Sequence, residues 1–128
     1  MTGVAAAVAS ARNKANTIIV ERCGFFGGVA TCGLMASLDN FGFFSSSGEL
    51  VTRGLALEIV ERLVKRGGTR EGWKSVKTPK IPFDPEVLKV VLIEMTEETR
   101  VKVLLNTWFS NTVMSDKRVD GIIIENTS

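Results

Sequence analysis

Gly3, Glu21, Arg22 and the Gly27-Gly28 pair stand near the start of the chain at spacings that suit a dinucleotide. Such a ligand carries a pyrophosphate, which is met by backbone amides and a helix start, and ribose hydroxyls, which a carboxylate accepts from. Gly3 opens an alanine-rich segment. Glu21 follows eighteen positions later, at the end of an aliphatic run, with Arg22 and the glycines directly after it. That interval holds one helix, one turn and one strand, and a glycine at the helix start lets the helix pack on the sheet. Taken singly, a glutamate at a strand end is an ordinary solvated charge and a Gly-Gly pair an ordinary turn. Their coincidence with the alanine-rich helix favours the dinucleotide reading.

Other chemistries are closed by what is absent. The 128 residues include no histidine and no tyrosine. Ser-His-Asp and Cys-His nucleophile systems therefore cannot form, nor can His-ligated zinc, iron or haem sites. Cys23 and Cys32 are too few for a four-thiolate metal site, and the eight residues between them match neither a C-x-x-C redox motif nor a zinc spacing. They are expected to be reduced and packed as small apolar groups. With so few reactive side chains, redox or group-transfer chemistry would fall to a cofactor.

The elements that must hold these residues are readable from pattern. One domain is expected for this length. Val4, Ala7, Val8 and Ala11 share a face of a helix over 3–13. Thr17-Ile18-Ile19-Val20 is β-branched without polar alternation, as suits a parallel strand buried on both faces. From Arg22 to Gly48 runs a long stretch rich in Gly, Phe and Ser with no sustained period, and its five phenylalanines argue against disorder. Leu55, Ile59 and Leu63 mark an amphipathic helix that ends in Lys65-Arg66 and Gly67-Gly68. Thr69 to Pro82 reads as a polar, basic connection. Asp84-Pro85 starts a further helix, with the aspartate as N-cap and proline at its first position. Val101 to Leu105 reads as a second buried strand. Trp108–Met114 and Arg118–Glu125 are expected to pair as a hairpin.

At this level the chain resembles a known family. Ala5-Ala6-Ala7 through Ile19-Val20-Glu21-Arg22, then Gly24-Phe25-Phe26-Gly27-Gly28-Val29-Ala30-Thr31, is similar to the amino-terminal part of FAD-dependent oxidoreductases with a glutathione-reductase-like nucleotide fold. The resemblance continues through Gly54–Val60, resumes at Phe83–Lys89 and runs to Val119–Asn126, covering nearly the whole chain, and is least certain from Thr69 to Pro82. It implies an α/β fold: a partial Rossmann-like FAD-binding domain, a parallel sheet flanked by helices, with a C-terminal β-hairpin. It also implies site roles. Glu21 would hold the adenosine ribose with Arg22 beside it. Gly27, Gly28 and Thr31 would approach the pyrophosphate and flavin side through their backbones. Gly3 would be the last glycine of the phosphate-binding fingerprint. Phe109 would offer main-chain groups to the adenine, with plain core packing as its alternative.

The fingerprint of that family is G-x-G-x-x-G after a hydrophobic strand, whereas only Met1 and Thr2 precede Gly3 here. The resemblance therefore implies residues 1–128 as a partial domain truncated at both ends, lacking the first strand. FAD is expected to bind such a piece weakly or not at all, and self-association through an exposed sheet edge is expected. The full-length protein would act on a small-molecule redox substrate. No catalytic residue can be nominated, and Arg53, Lys74 and Lys77 read as solvated surface charges. The alternative is a non-catalytic α/β remnant or interaction module that no longer binds FAD.

A net charge of +2 gives no reason to expect a polyanion, and the basic connection from Lys65 to Lys80 has no interleaved aromatic beyond Trp73, so no nucleic-acid partner is expected. The longest uncharged stretch, Cys23–Leu38, falls short of the ~20 residues that span a bilayer. Ala9-Ser10-Ala11 imitates a signal-peptidase site, but no basic residue precedes it. A cytoplasmic location without membrane attachment is expected.

Overall fold

A computed structural model describes residues 1–39, 42–75 and 80–126. In chain order the elements are α1 (Thr2–Arg12), β1 (Ile18–Val20), β2 (Ser37–Asp39), α2 (Leu55–Lys65), β3 (Lys80–Pro82), α3 (Pro85–Glu98), β4 (Lys102–Leu104), β5 (Thr107–Ser115) and β6 (Arg118–Asn126). Single 3-10 turns lie at Gly28–Ala30 and Trp73–Ser75. The mixed α/β class expected from the pattern is the one observed.

β1 and β4 pair in parallel, with Ile19 opposite Val103. Helix α1 packs on β1 and on α3, and α3 packs on α2. The main core lies among these elements. It joins Val4 and Val8 of α1, Ile59 and Leu63 of α2, and Leu88, Val91, Leu92 and Met95 of α3. Phe26 and Ala30 of the glycine-rich loop complete it, so the loop is anchored by its own apolar side chains. A smaller cluster gathers Phe43, Val60, Trp73 and Ile81. There the Phe43 and Trp73 rings meet edge-on at 5.3 Å.

Two expectations need correction. First, β1 is not buried on both faces: Ile18 is 51% exposed. The strand has one neighbour, β4, among the described residues. Its other edge is open, so it lacks the cover that a central parallel strand receives. Second, the stretches from Arg22 to Gly48 and from Thr69 to Pro82 are not wholly irregular. Each contributes a three-residue strand, β2 and β3, which pair antiparallel with Leu38 opposite Ile81. Phe41 of the long stretch and Lys77 of the basic one lie outside the described residues.

The helix ends follow their residues. The Asp84 side chain accepts a 2.8 Å hydrogen bond from the Glu86 amide, and Pro85 takes the first helical position. Helix α1 begins without any side-chain cap. Three helices are also laced by charge: Glu58 of α2 accepts from Arg12 of α1 at 2.7 Å and from Arg62 at 2.8 Å, and Arg62 reaches Glu98 of α3 at 2.6 Å. Arg12, helped by Arg62, pulls the Glu58 carboxyl down to about 2. The hairpin of β5 and β6 turns at Asp116, which takes a left-handed φ of 53° in place of the glycine such turns often use.

Candidate functional site

The carboxyl ends of the two parallel strands organise the site. Where β1 ends, the Glu21 amide donates to Leu104 O at 2.8 Å, and Glu21 O accepts from Thr107 N at 3.0 Å. Glu21 thus joins β1, β4 and the root of the hairpin through its backbone, leaving its side chain to turn outward from the strand end. Oε1 accepts from the Cys23 amide at 2.8 Å. That bond fixes the aim of the carboxylate and leaves Oε2 without a partner among the described residues. A carboxylate held this way can accept from a pair of ribose hydroxyls.

Arg22, next in the chain, places its guanidinium over the Trp108 ring, 4.9 Å from the centroid. These two residues, with Asn106, Glu125 and Asn126, line a shallow cavity of about 290 Å³. The hairpin therefore borders the strand end that carries Glu21.

Of the glycine pair, Gly27 is geometrically required. Gly27 has a φ of 123°, and a Cβ there would stand 2.3 Å from Thr31 Cγ2. Gly28 has a φ of 56°, with nothing within 4 Å of a would-be Cβ. The carbonyls of both point into the fold, accepting from the amides of Ala30, Thr31 and Gly33. Their own amides donate no hydrogen bond among the described residues. Gly27 is buried and Gly28 exposed, so the backbone that a phosphate could approach closely at this turn is that of Gly28. Gly27 O also accepts from the amino group of Met1 at 3.2 Å, tying the start of α1 to the loop.

The other expected site residues divide. Thr31 is 2% exposed. Its hydroxyl donates to Phe26 O at 2.9 Å and its amide to Gly28 O at 3.1 Å, so it holds the loop closed from inside. Gly3 sits in the first turn of α1 facing β1, where a Cβ would meet Ile19 Cδ1 at 3.9 Å, an ordinary contact. Close helix–strand approach does not require glycine at this position. Phe109 is 50% exposed in β5, opposite Ile124, so the core-packing reading is wrong. The hairpin extends away from the core that would have covered it. Lys74 is paired with Glu61 at 3.1 Å, and Arg53 is exposed.

The cysteines also depart from expectation. Cys32 is exposed and Cys23 half-buried, and their sulfurs stand 2.8 Å apart. They face each other and are not separate core fillers. Residue pattern could not show this, because the loop between them has no period from which to read it.

A parallel strand that ends in an oriented carboxylate, followed by a bare glycine turn and flanked by an alanine-rich helix, defines a Rossmann-like nucleotide-binding fold. The chain belongs to the FAD dependent oxidoreductase family, which it matches over residues 1–128. FAD is thus the cofactor of its family. Among solved structures it is similar to THI4 from Thermovibrio ammonificans, at a TM-score of 0.62 and 17% identity. That likeness covers 98% of this chain and 44% of THI4, so this chain spans less than half the length of that one. It bears on the fold alone. No curated protein matches the sequence. No helix among the described residues is long and apolar enough to cross a membrane, and no cluster of His, Cys, Asp and Glu among them could hold a metal.

Proposed function

We propose that this chain forms the adenosine-diphosphate side of an FAD site in an oxidoreductase acting on a small molecule. The observation that carries the reading is the combination of Glu21, its carboxylate already aimed by the Cys23 amide, with the exposed Gly28 amide, which donates no hydrogen bond among the described residues. Glu21 would accept from the ribose hydroxyls. The Gly28 amide would donate to the pyrophosphate, with Gly27 shaping the turn beneath it. Arg22, held over Trp108, would border the adenosine. Thr31 acts indirectly by keeping the turn in shape. When bound, FAD supplies the electron transfer, and this chain's residues supply binding and electrostatics.

The G-x-G part of the fingerprint is not among these residues. FAD is therefore expected to bind residues 1–128 more weakly than about 1 μM, a binding free energy of about −8 kcal/mol or less in magnitude. Fluorescence competition tests which half of FAD the chain holds. ADP is expected to displace FAD and riboflavin to leave it in place. Displacement by riboflavin alone would overturn the assignment.

The hairpin favours a second role beside this one. Trp108, Phe109, Val113, Met114, Ile122, Ile123 and Ile124 are each 40–50% exposed, and Val119 is 56% exposed. So much apolar surface on a two-stranded ribbon, together with the open edge of β1, supports association of the chain with a second copy.

A further inference from the structure

We propose that Cys23 and Cys32 form a reversible dithiol–disulfide pair that closes the glycine-rich loop when the chain meets a low-molecular-weight disulfide. The inference stands apart from the FAD reading and needs no flavin.

Three observations carry it. The sulfurs are 2.8 Å apart with a hydrogen bond between them. A disulfide bond is about 2.05 Å long, so oxidation asks for less than about 1 Å of approach. Second, both cysteines sit on pinned backbone. The Cys23 amide donates to Glu21 Oε1 at 2.8 Å, and its carbonyl accepts from Asn106 N at 3.1 Å. Cys32 adjoins Thr31, which is buried and bonded to Phe26 O. Third, Cys32 is exposed and Cys23 half-buried, so a reagent reaches one sulfur first while the other waits beside it. An exposed thiol next to a resolving partner is the arrangement that favours ring closure over a stable mixed adduct. The Cys23 thiol is pushed up, first by its hydrogen bond to Cys32.

The exchange balances as follows. The Cys32 thiolate attacks one sulfur of the reagent R–S–S–R, breaking that S–S bond and forming Cys32–S–S–R. The released thiolate takes up a proton. Cys23 then loses its proton and attacks Cys32 Sγ, expelling the second R–S⁻, which is protonated in turn. Two protein thiols are oxidised to one disulfide, and one reagent disulfide is reduced to two thiols. The ring so formed encloses Phe26, Gly27 and Gly28.

The test equilibrates the chain in buffers of graded reduced to oxidised glutathione, quenches with acid, and reads mass and free thiols. Loss of two hydrogens with no glutathione retained is expected, while Cys23→Ser should stop at a mixed disulfide on Cys32. The same titration in denaturant needs no variant. There the ring-closing equilibrium constant should fall at least about tenfold, about 30 mV in potential. Stable glutathione adducts on both wild-type cysteines, disulfide-linked dimers in place of the internal ring, or equal constants in the folded and denatured chain would each overturn the proposal.

Discussion

Gly27 and Gly28 look alike in sequence but are held by different constraints. Gly27 combines a φ of 123° with a would-be Cβ contact of 2.3 Å to a buried threonine, whereas Gly28 has only an unusual φ and open space. Gly27→Ala is expected to cost about 2 kcal/mol or more, and Gly28→Ala about 1 kcal/mol, by urea denaturation. Equal costs would mean that the Thr31 contact does not shape the turn. Glu58 offers a second test at this scale. Its carboxyl titrates near 2 when folded, against an ordinary 4.5, because Arg12 and then Arg62 bond its charged form. A depressed carboxyl stabilises the fold fully above the unfolded value and stops doing so as pH falls through the folded one. The urea midpoint should therefore drop between pH 4.5 and 2 by the equivalent of about 2 kcal/mol, discounted for the partial exposure of the pair. Glu58→Gln should remove that part of the drop and leave the rest. The positions of Glu21 at a strand end and of the glycine pair in a turn were legible because helix, strand and turn lengths constrain their spacing. The meeting of Cys23 with Cys32 was not, since it depends on a loop path set by buried Phe26 and by Thr31.

The elements that were readable are those whose stability is local. Helix α2 shows an unbroken apolar stripe, and α3 announces its start with Asp84-Pro85. Removing that cap by Asp84→Ala is expected to cost about 1 kcal/mol, seen as a lower thermal midpoint, through loss of the bond to Glu86 N. No change would show that Pro85 alone sets the helix start. β2 and β3 were not readable. Each is three residues long, each pairs with a segment some forty positions away, and β3 contains Pro82, which argues against a strand when only the local pattern is seen. Their reason for existing is tertiary: Ile81 is fully buried against Val60 and Trp73. The hairpin was legible from alternating β-formers on either side of Ser115-Asp116-Lys117. What its sequence concealed was its exposure, because apolar residues on both faces read as core.

At the scale of the whole molecule, three helices and a parallel pair make a cohesive core, while the hairpin and the outer edge of β1 stand clear of it. Association through these surfaces predicts a concentration-dependent mass in sedimentation equilibrium, shifted toward monomer by Ile123→Lys, with the thermal midpoint of dilute protein unchanged. A monomer at every concentration would contradict it. In the proposed function Glu21, at the end of β1 with its carboxylate held by the Cys23 amide, is the central residue. The most direct test is therefore a titration of FAD followed by flavin fluorescence, on the wild-type chain and on Glu21→Ala with circular dichroism unchanged. Saturable binding weaker than about 1 μM is expected for the wild type, and affinity lower again by about tenfold, or 1.4 kcal/mol, for the variant. Superimposable curves would contradict Glu21 as the ribose acceptor.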